Sequence, residues 1–127
     1  MEVVVRAADS HRIVAIHGLG GNRLRTFTKD DDVWLKDLLP EHPCAAPMNP
    51  RVSTFGYDAS IAFGKSVSRI RDFAVQLLNE LERTRRESTG VPIVLIAHSL
   101  GGIVAKAVCR QCNISPTDFS NRTRHLL

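Results

Sequence analysis

The stretch Ile93-Val-Leu-Ile-Ala-His-Ser99-Leu-Gly-Gly-Ile103 constrains the fold more than any other part of the chain. An unbroken apolar run reads as a buried strand. It ends in A-H-S-L-G, and a small, apolar, helix-compatible stretch follows at once. A strand that delivers a serine to a sharp turn, with a helix starting at that turn, is how a nucleophile elbow reads. Ala97 and Gly101 flank Ser99 at minus two and plus two, where a tight strand-to-helix crossing leaves no room for large side chains. The usual pattern is G-x-S-x-G. Ala97 departs from it by one methyl group.

A second motif gives that serine a context. Arg12-Ile-Val-Ala-Ile-His17-Gly-Leu-Gly-Gly21 is another short apolar strand, running into a glycine-rich loop. Acyl transfer to a serine needs backbone N–H groups aimed at the developing oxyanion. In α/β-hydrolases one comes from the residue after the nucleophile and one from the loop after an earlier strand. Here those are Leu100 and Leu19. A phosphate-cradling loop is the competing reading of the glycines. However, the loop lacks the lysine of G-x-x-x-x-G-K-[ST], and G-L-G-G-N does not match G-x-G-x-x-G.

H-G-L-G-G-N, T-F, V-W-L-K-D-L-L-P, R-V-S-T-F-G-Y-D-A and P-I-V-L-I-A-H-S-L-G-G-I-V-A-K-A follow one another in that order. Over residues 12 to 108 the chain resembles the N-terminal part of the lipase-like serine hydrolases called "serine active site containing" proteins. Many fungal members carry this domain ahead of NACHT-type or repeat regions, and the wider group includes lipases that resemble GPI inositol-deacylases. The resemblance implies an α/β-hydrolase fold, an ester or lipid-type substrate, Ser99 as nucleophile, and a downstream acid and histidine.

The order of elements reads strand, helix, strand, helix, strand, helix, which predicts a parallel sheet covered by helices. Residues 3–6 form a candidate extra strand, residues 12–17 the first secure one and residues 51–57 the next. Asp30, Asp31 and Asp32 precede a short helix over residues 33–39 and read as its N-terminal caps, where carboxylates suit the helix dipole. Four prolines between residues 40 and 50 mark an irregular connection. Phe63, Val67, Ile70, Phe73, Ala74, Leu77, Leu78 and Leu81 recur at steps of three and four, the stripe of a core-packing helix. Tyr57 falls at the carboxyl end of a strand, the edge where open α/β sheets bind ligands. Its sequence position allows either a place in the substrate pocket or ordinary packing at the rim.

Composition closes off other classes. With 127 residues, 43% hydrophobic and 24% charged, the chain reads as a single domain over 1–127 with enough apolar content for a core. The net charge of +4 is scattered, and no basic face with interleaved aromatics suggests nucleic-acid binding. No apolar run approaches a membrane span and no secretory segment stands out. Three cysteines do not make a disulfide framework, which favours a reducing, intracellular compartment. The pair Cys109 and Cys112 lacks the companions a zinc site needs, so neither a metal nor a cofactor is expected.

A serine nucleophile needs a histidine to take its proton and a carboxylate to orient that histidine. Downstream of Ser99 the candidates are Asp118 and His125, in the right order. Their spacing leaves little room for the later strands that normally carry the acid and base. His98 is expected to project away from the turn, and His17 to order its loop by hydrogen bonding. Residues 113–127 read as an irregular tail. The sequence therefore predicts a partial α/β-hydrolase fold, a parallel sheet with flanking helices lacking the later strands. The triad is expected to be incomplete, as in a truncated product. The alternative is a catalytically inactive fragment acting as a binding or regulatory module, associating through an unpaired sheet edge.

Overall fold

The computed structural model describes residues 1–5, 11–59, 67–87 and 90–111. The strands and helices of the main body follow from the patterns above, and a small hairpin is added to them. The strands are β1 (Glu2–Val5), β2 (Arg12–Ile16), β5 (Arg51–Phe55) and β6 (Ile93–Ala97), together with a two-stranded hairpin of β3 (Thr28–Lys29) and β4 (Asp32–Val33). The helices are α1 (Trp34–Asp37), α2 (Val67–Glu87) and α3 (Leu100–Gln111).

The main sheet has the order β1-β5-β2-β6. β2 sits between β5 and β6 and runs parallel to both, so Ile16 lies level with Phe55 on one side and Ala97 on the other. β1 is antiparallel to β5. The sheet is thus mostly parallel with one antiparallel edge. β2 is buried over all five residues, as a strand covered on both faces must be.

Alternation along the strands splits the core in two. Val14, Ile16, Phe55 and Leu95 face α2 and α3, where Phe73, Ala74, Leu77, Leu81, Val104 and Val108 complete the layer. Ile13, Ala15, Val52 and Val94 face the other way, onto Phe27 and Leu35. Each large aliphatic side chain buried here stabilises the fold by about 1.5–3 kcal/mol relative to exposure. Of the expected helical stripe, Phe63 lies outside the described residues.

Three expectations change. The aspartate run does not cap a helix. Asp30 takes a left-handed conformation (φ 56°) in the turn between β3 and β4, and Asp32 is already in β4. The first turn of α1 is capped from inside instead, with Asp37 Oδ2 accepting the Val33 N–H at 2.8 Å. The helix expected over 33–39 shortens to four residues: Val33 belongs to the hairpin, and the Leu38 and Leu39 N–H groups both donate to the Trp34 carbonyl, closing the helix there. The strand expected over 51–57 stops at Phe55, freeing Gly56 and Tyr57 to turn toward β2.

Candidate active site

The carboxyl ends of β2, β5 and β6 converge, and three loops meet there. The β6–α3 connection is two residues long. Its second residue, Ser99, adopts φ 53°, an exposed non-glycine residue in the left-handed region. Such a conformation costs on the order of 1–3 kcal/mol and persists only where the surroundings impose it. The surroundings do so from both sides. Before the turn, the His98 N–H donates to the Ile16 carbonyl at 3.0 Å, extending the β2–β6 ladder by one step. After it, Gly101 presses on β2 so closely that a Cβ would stand 2.6 Å from the Ile16 oxygen and 2.7 Å from the His17 oxygen. Only a glycine permits that crossing, as the spacing around Ser99 suggested.

The first turn of α3 closes with three-residue steps, Gly101 N–H to His98 O (3.0 Å) and Gly102 N–H to Ser99 O (2.9 Å). The Leu100 amide donates to no group among the described residues. It lies at the positive end of a twelve-residue helix, a natural place for negative charge.

The glycine loop after β2 is built as a tight turn. Gly21 N–H donates to Gly18 O at 3.0 Å, and Gly20 takes φ 62°. Gly18 abuts the serine turn, since a Cβ on it would come within 2.7 Å of Ser99 Cβ and 2.9 Å of His98 Nδ1. Sequence reading put the His98 ring on the far side of the turn. Its Nδ1 lies beside Gly18, as Ser99 Cβ does. Leu19 is 41% exposed at the tip of the loop, and its amide also donates to no group among the described residues. Asn22 steadies the loop's far end, with its Oδ1 accepting the Leu24 and Arg25 N–H groups.

His17 is buried and fully engaged. Its Nε2 accepts the Tyr57 N–H at 3.3 Å, and its Nδ1 lies 2.9 Å from the Gly18 carbonyl. An amide can only donate and a carbonyl can only accept, so the ring carries its hydrogen on Nδ1. Tyr57 stacks on this ring and donates its hydroxyl to the His17 carbonyl at 2.8 Å. On its other side Tyr57 meets Phe55 and Phe73. Burial pushes the Tyr57 hydroxyl up from 10.0 to about 12. Tyr57 therefore does more than pack at the rim: it ties β5 to the glycine loop. Sequence reading offered no signal for that tie, which joins residues 40 positions apart.

Ser99, Leu100 and Leu19 are thus gathered at one sheet edge, while Asp118 and His125 lie outside the described residues, as does Cys112. Cys109 is buried on α3, and among the described residues no group of three His, Cys, Asp or Glu side chains is placed to hold a metal ion. No described helix is long and apolar enough to cross a membrane.

Comparison with known proteins agrees with this architecture. A search of curated proteins finds no match by sequence. Among solved structures the fold is similar to "A novel cutinase-like protein from Cryptococcus sp.", with a TM-score of 0.61 and 12% sequence identity. The match covers 94% of this chain and 53% of that one, so this chain spans about half the length of its structural relative. At the level of sequence, residues 6–126 match a family described as "Putative serine esterase (DUF676)", and the chain belongs to that family.

Proposed function

We propose that the chain acts as a serine hydrolase of esterase or lipase type, with Ser99 as nucleophile on a nucleophile elbow. The observation that carries this reading is the strained Ser99 between β6 and α3, pressed against Gly18 of the neighbouring loop. Ser99 Oγ attacks the carbonyl carbon of an ester and gives its proton to an imidazole. The carbonyl oxygen becomes an oxyanion, held by the Leu100 and Leu19 amides and favoured by the N-terminus of α3. Collapse expels the alcohol, which takes the proton from the imidazole. Water then repeats the sequence on the acyl-enzyme and releases the acid.

His17 does not serve as the base, since both its ring nitrogens are occupied. His11 precedes β2, at the opposite end of the sheet. His98 at the turn and His125, with Asp118 as its partner, are the imidazoles to test. A fluorophosphonate reports on an activated serine, and free imidazole in the buffer can stand in for a missing base. Labelling at Ser99 in plain buffer, lost in His125→Ala, assigns the base to the tail; loss in His98→Ala assigns it to the turn. Labelling only with added imidazole means the chain supplies the nucleophile and the oxyanion amides but no base.

A second reading rests on β6. Among the described residues it is the last strand of the sheet, with Ile96 and Ala97 only half-buried. An open strand edge is a template for pairing, which supports a binding module that self-associates through this edge.

A further inference from the structure

We propose that Tyr57 is a positioning residue for the Ser99 reaction, acting through His17 to fix the direction of the Leu19 amide. The proposal rests on the reading of Ser99 as nucleophile. The Gly18–Leu19 peptide is trans, so its N–H points opposite to its carbonyl. That carbonyl is held from one side by His17 Nδ1–H at 2.9 Å and by Gly21 N–H at 3.0 Å. Holding the carbonyl aims the Leu19 N–H away from those donors. The aim depends on His17 keeping its hydrogen on Nδ1 and its ring in place, and Tyr57 secures both.

The Tyr57 N–H occupies Nε2, which leaves Nδ1 as the only ring nitrogen able to carry the hydrogen in the neutral form. The Tyr57 ring stacks on the imidazole with centroids 4.5 Å apart and planes 13° from parallel. Its hydroxyl holds the preceding carbonyl, His17 O, at 2.8 Å. Tyr57 itself is anchored against Phe55 and Phe73, with ring centroids 5.8 and 4.6 Å away. A rigid core cluster is thereby connected through one side chain to the two residues before the candidate oxyanion amide. Such an amide contributes to catalysis only when it is aimed before the charge develops.

The test uses the full chain and Tyr57→Phe, which keeps the ring and removes the hydroxyl, with His17→Phe as a second variant. Fluorophosphonate inactivation is followed to saturation under the condition in which the parent reacts. Losing a direct oxyanion donor lowers the rate about 10²–10³-fold, so loosening one is expected to lower the saturating rate about tenfold. The fraction of protein labelled and the half-saturating concentration stay unchanged. Long-range proton–nitrogen correlation spectra of the parent are expected to show His17 protonated on Nδ1 with an unprotonated Nε2. An unchanged saturating rate in Tyr57→Phe, a loss confined to the fraction labelled, or hydrogen on Nε2 overturns the positioning role while leaving Ser99 as nucleophile. A folded parent that never labels removes the nucleophile reading, and the positioning role with it.

Discussion

The Tyr57 hydroxyl donates to the His17 carbonyl at 2.8 Å while the two rings lie stacked 4.5 Å apart. This pairing joins the end of β5 to the glycine loop after β2, next to Ser99. It can be read directly, because Tyr57 is the single tyrosine of the chain.

Ultraviolet titration of the phenolate is expected to give a midpoint of about 12 in the folded protein and near 10.0 in urea, burial being the cause. The sign for stability follows. A pKa raised in the fold means that the unfolded chain loses its proton first as pH rises. The contribution is fully present below pH 10 and is lost as pH rises toward 12. A folded midpoint at 10.0 would mean that the ring is open to water.

Glycines at adjacent positions should respond in opposite directions. A methyl on Gly101 meets the backbone oxygens of Ile16 and His17, which cannot yield, whereas one on Gly102 meets nothing within 4 Å. In urea melts Gly101→Ala is expected to lose about 1–3 kcal/mol. Gly102→Ala is expected to gain about 0.5–1 kcal/mol from lower backbone entropy in a helix. Equal effects would contradict the close crossing of α3 over β2.

The left-handed Ser99 gives a further stability contrast. Glycine accepts φ 53° without a Cβ penalty, while alanine does not. Ser99→Gly is therefore expected to be more stable than Ser99→Ala by roughly 1 kcal/mol, the scale of the left-handed penalty. Neither variant should react with a fluorophosphonate. Ser99→Ala matching or exceeding Ser99→Gly in stability would mean that the turn is not strained.

How much of this was legible in the sequence depends on the range of the interaction. The two strands, the serine turn and the stripe of α2 are local patterns, and they stand where periodicity and small residues put them. The β3–β4 hairpin was hidden because Asp30-Asp-Asp32 reads as a helix cap, while aspartate serves a turn as well. The burial that would separate the two readings is tertiary. The antiparallel pairing of β1 and the His17–Tyr57 tie were hidden for the same reason, since each joins distant segments. The Gly18 contact with Ser99 was foreshadowed only by the glycines of H-G-L-G-G.

Acid pH tests a smaller contact, between α2 and the Met1 ammonium. Glu80 accepts from Arg83 at 2.8 Å and from the Met1 ammonium at 3.2 Å, and these hold its carboxyl below the usual 4.5. A pKa lowered in the fold means that the contribution is present above pH 4.5 and is lost as pH falls through the folded value. Glu80→Gln is expected to flatten the fall in melting temperature below pH 4.5. The same slope in both proteins would show that the contact adds nothing.

The central claim is that Ser99 is a nucleophile held at a built oxyanion site. Fluorophosphonate labelling of the folded chain, with and without added imidazole and located by peptide mass spectrometry, tests it most directly. The account predicts one adduct, on Ser99, absent in Ser99→Ala. A folded protein that stays unlabelled under both conditions, or an adduct that persists in Ser99→Ala, would contradict it.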